Sequence, residues 1–519
     1  MPSIRNPVGP IRRTVYGAGL SLALAVGVVG VVLAADLSAP VPTDGIGSGA
    51  PSALNLPQMG EPADATMSPA QEAAIGTSVM AELYQYEYVL EDPEITEYLS
   101  NMGWRLVAAA QQKPPALDVF MVADPRINAF ALPGGHIGFN AGLLIASQTE
   151  SELAGVMGHE LTHVTQRHIA RSQDDAGGIG TIATWAAVLA AIIAGSGDPN
   201  VIIAALGVGQ GVMYQKQVNF TRANELEADR IGIQVMADAG YDPEGMAGFF
   251  QRLEQQSRLY GTGVPEILRT HPVNTTRIAE ARSRAAAIEK GKLRNVPDSL
   301  DYGLMKARTR VLVSSRPGEA VEAFSAELKN GRDTAPTRYG LALALSKAGD
   351  NARAAAVLKP AFDANRNAPA IALLMAQLKL GAGQSADAMA LFEKTYQSYP
   401  TYAPAILRYA QALIETGKPD VARQVLLASQ QIFGTRLETY RLLAQAARDA
   451  GNNGEASYEM ANYLYFRGDY GGALAQLDAG LRSDSLSSSQ RARLAARRAE
   501  VREALPRNYN PYAREPRQR

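Results

Sequence analysis

A glycine recurs every 34 residues in the second half of the chain, and this period restricts the fold more than any other feature. The glycines are Gly349, Gly383, Gly417 and Gly451. An alanine precedes each by seven residues and another follows by five: Ala342, Ala376, Ala410 and Ala444, then Ala354, Ala388, Ala422 and Ala456. Two helices and two turns fill about 34 residues, since glycine permits a turn and alanine lets paired helices approach closely. The period predicts an array of helix pairs over residues 301–505.

This register matches tetratricopeptide repeats, which form an α-helical solenoid. Such arrays present concave surfaces that bind peptides or partner proteins. An unrelated helical bundle is the alternative, but a bundle has no reason to keep a fixed period. The arginine- and proline-rich stretch over residues 506–519 is predicted to be a disordered tail.

The N-terminal residues have the pattern of an export signal. Three arginines precede an apolar run over residues 17–33, and the run ends in small residues suited to cleavage. The arginines are Arg5, Arg12 and Arg13. We predict a signal peptide over residues 1–35 and a periplasmic protein. An uncleaved anchor is the alternative, because the run is close to the lower length limit of a membrane-spanning helix. Residues 36–66, rich in Ala, Pro, Ser and Gly, are predicted to be a flexible linker.

Composition excludes several functional classes. A chain of 519 residues should form two or three domains. The net charge of -1 gives no electrostatic footprint for nucleic acid. Because the chain has no cysteine, it can form neither a disulfide framework nor a thiolate zinc site. Any metal must therefore be held by His, Asp or Glu.

The stretch VMGHELTHVTQRH, residues 156–168, contains three of the five histidines. On a helix, residues four apart share a face, so His159 and His163 present two imidazoles to one point, with Glu160 beside it. Two neutral nitrogens that bind a metal, and a carboxylate that takes a proton from water, are what a zinc hydrolase requires. His168 lies about 180° around the same helix from His159, which predicts a packing or capping role.

A third ligand should come from a second helix, for which TRANELEADRIG, residues 221–232, is the candidate. Glu225 and Asp229 share a face, whereas Glu227 points away from Glu225 by about 160°. By residue type alone, either glutamate could bind a metal ion. A carboxylate that orients a metal-bound histidine improves a metal site. This argument favours Glu225 as ligand and Asp229 as orienting residue.

The motifs NAFALPGG, HELTH and ELEAD together resemble those of the HtpX-type gluzincin metallopeptidases, over about residues 70–285. The resemblance implies a zincin-like metallopeptidase domain over residues 67–290, mainly α with a small β-sheet. It implies one Zn²⁺ per chain and Glu160 as general base. The ligands that it implies are His159, His163 and Glu225.

The first motif also predicts a strand. Residues Asn128, Ala129, Phe130 and Ala131 should form it, and Pro133-Gly134-Gly135 should end it. In the family the corresponding strand is the edge beside the active site, so the resemblance implies that substrate binds there as an added strand. An ordinary core strand is the alternative. His136, which follows, is predicted to be structural.

The segment RTHPVNTTR, residues 269–277, contains His271 and Arg277. His271 is a candidate for a fourth metal ligand or for a donor to the developing oxyanion, and Arg277 is a second candidate donor. A structural loop histidine is the alternative.

Two apolar runs over residues 180–194 and 201–213 lie between the two metal-binding segments. Each is shorter than the roughly 20 residues that cross a bilayer. They predict either a mobile apolar hairpin, which covers the site or makes peripheral contact with a membrane or a membrane protein, or a buried helical hairpin.

With an export signal in front and repeats behind, the whole architecture resembles the β-barrel assembly-enhancing proteases of Gram-negative bacteria. The resemblance implies polypeptide substrates, with outer-membrane proteins and the β-barrel assembly machinery as partners. The principal interpretation is a zinc-dependent endopeptidase acting on misfolded or stalled proteins. The alternative is a chaperone or scaffold for outer-membrane protein assembly whose proteolysis is latent or secondary.

Overall fold

The computed structural model describes residues 67–174, 222–260, 265–288, 296–433, 436–483 and 486–505. The predicted signal peptide, linker, pair of apolar runs and C-terminal tail lie outside these ranges. Within these ranges, no helix has both the length and the apolar character needed to cross a membrane.

The first part of the described chain contains nine helices and three strands. The helices are α1 (Pro69–Gln85), α2 (Pro93–Ala109), α3 (Ala141–Ala146), α4 (Glu150–Thr165), α5 (His168–Asp174), α6 (Arg222–Asp238), α7 (Glu244–Tyr260), α8 (Glu266–Thr270) and α9 (Thr275–Ile288). The strands are β1 (Asp118–Val122), β2 (Ala129–Leu132) and β3 (His136–Asn140).

The three strands form one sheet in the order β1-β3-β2. β1 runs parallel to β3, with Asp118 opposite His136. β2 runs antiparallel to β3, with Ala129 opposite Phe139. Strand β2 packs against helix α4 and is an edge strand among the described residues. The predicted strand is therefore present but shifted by one residue, since it leaves out Asn128 and includes Leu132, and it ends at the turn whose Gly134 has a φ of +82°.

Twelve further helices follow in the described residues, and consecutive helices in chain order make six pairs. They are α10 (Leu300–Leu312), α11 (Pro317–Lys329), α12 (Ala335–Lys347), α13 (Asn351–Ala364), α14 (Pro369–Gly381), α15 (Ser385–Ser398), α16 (Ala403–Glu415), α17 (Pro419–Phe433), α18 (Leu437–Asp449), α19 (Asn453–Phe466), α20 (Tyr470–Leu481) and α21 (Ser488–Glu503). The predicted fold class, a mainly α domain with a small sheet followed by a tetratricopeptide-repeat solenoid, is confirmed.

The periodic residues have the structural roles that their types suggest. Gly349, Gly383, Gly417 and Gly451 follow the first helix of a pair and have φ between +76° and +89°. A Cβ at any of the four would meet nothing within 4 Å. Glycine is therefore favoured by the left-handed backbone and not by lack of space. The alanines five residues later are buried between helices.

The repeat array packs against the first part of the described chain through the start of helix α2. Asp92 caps this helix, and its carboxylate accepts hydrogen bonds at 2.7 Å from Nε and Nη2 of Arg308 on α10. Glu94, in the first turn, lies 3.0 Å from Nη2 of Arg308 and 2.6 Å from Nη2 of Arg408 on α16. Arg436, at the start of α18, reaches Glu97 at 2.8 Å. Three separated repeats thus bind one helix end.

This acidic cluster is almost entirely desolvated. Glu94 is 1% exposed, and burial alone would raise its pKa. The charges of Arg308 and Arg408 instead lower the pKa of Glu94 to about 2 from 4.5. Removing one partner of such a buried cluster lowers the stability of the fold strongly, because the remaining charges stay buried without compensation.

Replacement of Glu94 by Gln should lower the free energy of unfolding by about 3 kcal/mol near neutral pH, because two buried arginines lose a charged partner. The folded-state pKa lies below 4.5, so this stabilisation is complete above pH 4.5 and disappears as pH falls towards about 2. Urea denaturation at several pH values measures it.

The matched control is Glu319→Gln, which removes an exposed carboxylate paired with Arg316. This variant should unfold like the wild type at every pH. A Glu94→Gln deficit that stays the same at low pH would contradict the interpretation.

Candidate metal centre

Helices α4 and α6 cross where each has a glycine. A Cβ on Gly232 would lie 2.9 Å from the carbonyl carbon of Gly158 and 3.0 Å from the backbone nitrogen of His159. A Cβ on Gly158 would lie 3.0 Å from the carbonyl oxygen of Gly232. The two backbones are therefore closer than any other residue type would permit. This contact brings His159 beside Glu225 and Asp229.

Four side chains direct ligand atoms into one buried space. The residues are His159, His163, Glu225 and His271, and their ligand atoms all lie within 4.8 Å of one another. Nε2 of His159 is 3.0 Å from Nε2 of His163 and 3.5 Å from Oε2 of Glu225. Nδ1 of His271 is 3.3 Å from Nε2 of His159 and 3.0 Å from Oε1 of Glu225. Each of the four residues is at most 3% exposed.

The donor set fits zinc. Zinc takes imidazole and carboxylate ligands at about 2.0–2.2 Å in a tetrahedron, which separates ligand atoms by about 3.3 Å. Five of the distances between these side chains, from 3.0 to 3.5 Å, bracket that value, and all the ligand atoms lie within 4.8 Å of one another. Both carboxylate oxygens of Glu160 are also buried, and neither has a hydrogen-bond partner within the described part of the chain. A buried carboxylate whose oxygens accept no hydrogen bond is costly, and its nearest ionisable neighbour among the described residues is Nε2 of His271 at 3.5 Å, so its environment suits an additional polar group.

The charges around the two helix histidines differ. Burial would lower the pKa of His159, but hydrogen bonds to Asp229 and Glu225 raise it to about 10. Burial and the neighbouring charge of His159 hold the pKa of His163 well below its usual value. Burial would raise the pKa of Glu225, but His271 and His159 hold it low. The carboxylates thus favour a positive charge at this point, which a bound divalent cation would supply.

Asp229 and Arg277 hold the cluster from behind. Oδ1 of Asp229 is 2.9 Å from Nδ1 of His159, the ring nitrogen that faces away from the ligand atoms. Arg277 donates from Nε and Nη2 to Asp229 at 2.7 and 2.8 Å, and its Nη1 lies 2.7 Å from Oε2 of Glu225. Nη1 also donates to the carbonyl oxygen of Pro272. Most of its N–H groups are directed at protein acceptors, so this geometry favours a positioning role for Arg277 over donation to an oxyanion.

His168 is placed differently from the helical projection. Helix α4 ends at Thr165, and Arg167 has a left-handed φ of +50° before α5 begins at His168. The turn brings Nδ1 of His168 to 2.9 Å from Nδ1 of His163, although a continuous helix would direct it away from the cluster. Its burial lowers the pKa of His168 to about 4, so the ring is neutral. The prediction of a mere packing or capping residue assumed an unbroken helix.

The remaining candidate residues lie outside the four-residue cluster. Glu227 is outside the cluster, with a side chain 33% exposed, and lies 3.2 Å from Nε2 of His168. His136 lies 2.9 Å from Asp118, and it is not part of the four-residue cluster. Asn128 directly precedes strand β2, is 1% exposed, and neither of its side-chain polar atoms has a hydrogen-bond partner in the described structure.

Comparison with known proteins agrees with this geometry. The model of peptidase family M48 matches residues 93–285, and a tetratricopeptide-repeat model matches residues 379–432. The chain is 32% identical to the Beta-barrel assembly-enhancing protease of Escherichia coli (strain K12), over 90% of this chain and 94% of that protein. The chain belongs to peptidase family M48. This M48 peptidase is a zinc metalloendopeptidase, as the sequence motifs predicted.

Two further relatives are also named as proteases. The Beta-barrel assembly-enhancing protease of Yersinia pestis is 31% identical over 91% of the M48 peptidase and 96% of the relative. Mitochondrial metalloendopeptidase OMA1 of Arabidopsis thaliana is 31% identical over 36% of the M48 peptidase and 35% of its own chain. The second match is thus limited to about a third of each protein.

Replacement of Gly232 by Ala should separate α4 from α6, because the new Cβ would overlap backbone atoms of Gly158. We expect a loss of about 1–3 kcal/mol in the free energy of unfolding. Zinc affinity should fall about tenfold or more, because the ligands come from both helices. Thermal unfolding and competition with a chelator measure the two effects.

Gly248 on α7 provides the control, since a Cβ there meets nothing within 4 Å. Gly248→Ala should stabilise the helix by about 0.5–1 kcal/mol and leave zinc affinity unchanged. Equal stability of the two variants would show that the helix crossing tolerates a side chain.

Proposed function

We propose that this chain is a periplasmic zinc endopeptidase that hydrolyses misfolded or stalled polypeptides during outer-membrane protein assembly. The catalytic part of the proposal rests on the buried carboxylate of Glu160. Its oxygens have no hydrogen-bond partner in the described structure, and it lies beside the cluster of three histidines and Glu225. In this proposal His159, His163 and Glu225 are the zinc ligands, and Asp229 orients His159.

Bound zinc supplies Lewis acidity, which polarises a carbonyl and makes water a nucleophile at neutral pH. Glu160 takes the proton of the attacking water and passes it to the leaving amine, since its oxygens have no competing hydrogen bond. Asp229 holds His159 through the ring nitrogen that faces away from the ligand atoms, and Arg277 binds both Asp229 and Oε2 of Glu225, so the two residues keep His159 and Glu225 in place.

The substrate is proposed to bind along strand β2 as an additional strand. Ala129 to Leu132 pair with β3 on one side only among the described residues, and the strand packs against the helix that carries Glu160. The buried amide of Asn128, directly before the strand, has no hydrogen-bond partner in that part of the chain, and in this proposal it bonds a substrate peptide group. Backbone pairing of this kind depends little on sequence. It therefore suits a protease that receives varied unfolded segments.

His271 is proposed to be the fourth ligand of the resting site. Its Nδ1 lies among the ligand atoms, 3.0 Å from Oε1 of Glu225, and its Nε2 is 3.5 Å from Oε1 of Glu160. A nitrogen in this position competes with water for the metal, whereas an oxyanion donor would stand away from the ligand atoms. Helix α8, which ends just before His271, is tied to the residue preceding Asn128 by a hydrogen bond from Ile267 to Ile127.

Replacement of His271 by Ala tests this assignment. If His271 is a blocking ligand, peptide hydrolysis should increase several-fold while one zinc remains bound, because three ligands suffice for a catalytic site. Cleavage of casein and metal content per chain are the measurements. A fall in cleavage with zinc retained would instead assign His271 to the oxyanion.

Three observations support the biological setting. The relatives that cover nearly the whole chain are named for β-barrel assembly. The N-terminal pattern supports export to the periplasm. The repeats support recruitment of client proteins or of the β-barrel assembly machinery. The arginines of the array that bind helix α2 are already occupied, so recruitment must use other surfaces of the array.

Replacement of Glu160 by Gln separates the protease from the scaffold. Cleavage should fall by about 10²–10⁴-fold, because the proton acceptor is lost. Zinc content should stay at one per chain, since Glu160 is not a proposed ligand. Glu225→Gln is the companion variant and should lose zinc as well as cleavage. Any outer-membrane assembly function that survives in Glu160→Gln belongs to the scaffold, whereas a wild type that binds no zinc after reconstitution would rule out the protease.

A further inference from the structure

The two metal-facing histidines of helix α4 are anchored in different ways. His159 directs Nδ1 to the carboxylate of Asp229 at 2.9 Å, which is the usual support for a metal-bound imidazole. His163 directs Nδ1 to another imidazole, that of His168, also at 2.9 Å. His168 in turn directs Nε2 to Oε2 of Glu227 at 3.2 Å. Both His163 and His168 are buried, at 1% and 0% exposure.

The chain of contacts from His163 through His168 to Glu227 determines which ring nitrogen of each histidine carries the hydrogen. Nε2 of His163 faces the ligand atoms, so Nδ1 carries the ring hydrogen and donates it to Nδ1 of His168. Nδ1 of His168 is then an acceptor, and the hydrogen of that ring is on Nε2, which donates to Glu227. The carboxylate at the end of the chain fixes the tautomer of both rings. Arg171 lies 3.1 Å from the same oxygen and holds the carboxylate in place.

The backbone between α4 and α5 is shaped to make this contact. Arg167 occupies the left-handed region at φ +50°, which is strained for a residue with a side chain. Its guanidinium is held by the carboxylate of Glu72 at 3.3 Å and by the carbonyl oxygen of Met67. Residues at the start of helix α1 thus hold the turn that directs His168 back to His163.

We propose that His168 and Glu227 are positioning residues of the metal centre, and that they hold His163 in the tautomer and orientation that bind zinc. The inference rests on the proposed function, because it takes His163 as a ligand. It predicts that zinc affinity depends on a hydrogen-bond acceptor at position 168 and not only on a side chain that fills the space. Partners of this kind contribute about 10–100-fold to metal affinity.

Two substitutions of His168 in the full chain separate positioning from packing. His168→Ala removes the acceptor and should weaken zinc binding about 10–100-fold in competition with a chelator. His168→Asn places an amide oxygen near the position of Nδ1, so it should recover most of that affinity. The visible spectrum of the cobalt-substituted protein should change in His168→Ala and should resemble the wild type in His168→Asn, because it reports ligand geometry directly.

His136→Ala is the matched control, since it removes a histidine that pairs with Asp118 outside the four-residue cluster. Its zinc affinity should equal that of the wild type. If His168→Ala does not fold, Glu227→Ala tests the same chain from a partly exposed residue and should also weaken zinc binding. Circular dichroism of the metal-free samples shows whether each variant is folded.

Two results would overturn the inference: folded variants without the acceptor chain that bind zinc within twofold of the wild type, or a His168→Asn variant as weak as His168→Ala. Both results require a wild type that binds zinc. A wild type that binds none would remove the proposed function first, so the two failures are distinguishable.

Discussion

The close contact between Gly158 and Gly232 is the constraint on which the metal centre depends. It sets the distance between two helices whose side chains must converge from opposite sides on one point a few ångströms wide. Helix α4 supplies two imidazoles and a carboxylate from a single turn, and helix α6 supplies the third proposed ligand and its orienting partner. A methyl group between the backbones would shift every distance in the cluster, because the interior is packed too closely to absorb it elsewhere.

Charge balance explains why so many ionisable groups are buried together here. Glu160, Glu225 and Asp229 bring three carboxylates into a space almost closed to water, and Arg277 supplies one permanent positive charge. Asp229 and Glu225 stabilise a positive charge on His159, which raises its pKa to about 10. A divalent cation would relieve the histidine of that charge and leave its nitrogen free to bind. The site thus favours a positive charge at its centre, and the surrounding residues orient the side chains that would bind the metal.

The sequence predicted the parts of the site that depend on local periodicity. His159 and His163 follow from a spacing of four on one helix, and the pairing of Glu225 with Asp229 follows from the same rule. The repeat array was predicted from a period that glycine backbone conformation and alanine burial explain residue by residue. Strand β2 was predicted from its turn, although its place at the edge of the sheet came from family resemblance.

The parts that the sequence did not predict depend on a break in that periodicity or on distant contacts. His168 was misplaced because the helical projection ran through Arg167, whose left-handed backbone no local pattern announced. Glu227 was set aside for pointing away from Glu225, yet that direction is what lets it meet His168. The arginines that join Asp92 and Glu94 lie more than 200 residues away in the chain, and only the curvature of the folded array brings them to one helix end.

Helix α2 connects the array to the metal centre. Its start, from the cap Asp92 to Glu97 in the second turn, carries the acidic residues that bind arginines from three helix pairs of the array, and its later turns pack against α4, α6 and strand β1. The buried ion pairs are directional and costly to separate, so they fix the orientation of this helix relative to the array. The array and the two metal-binding helices therefore share one rigid element.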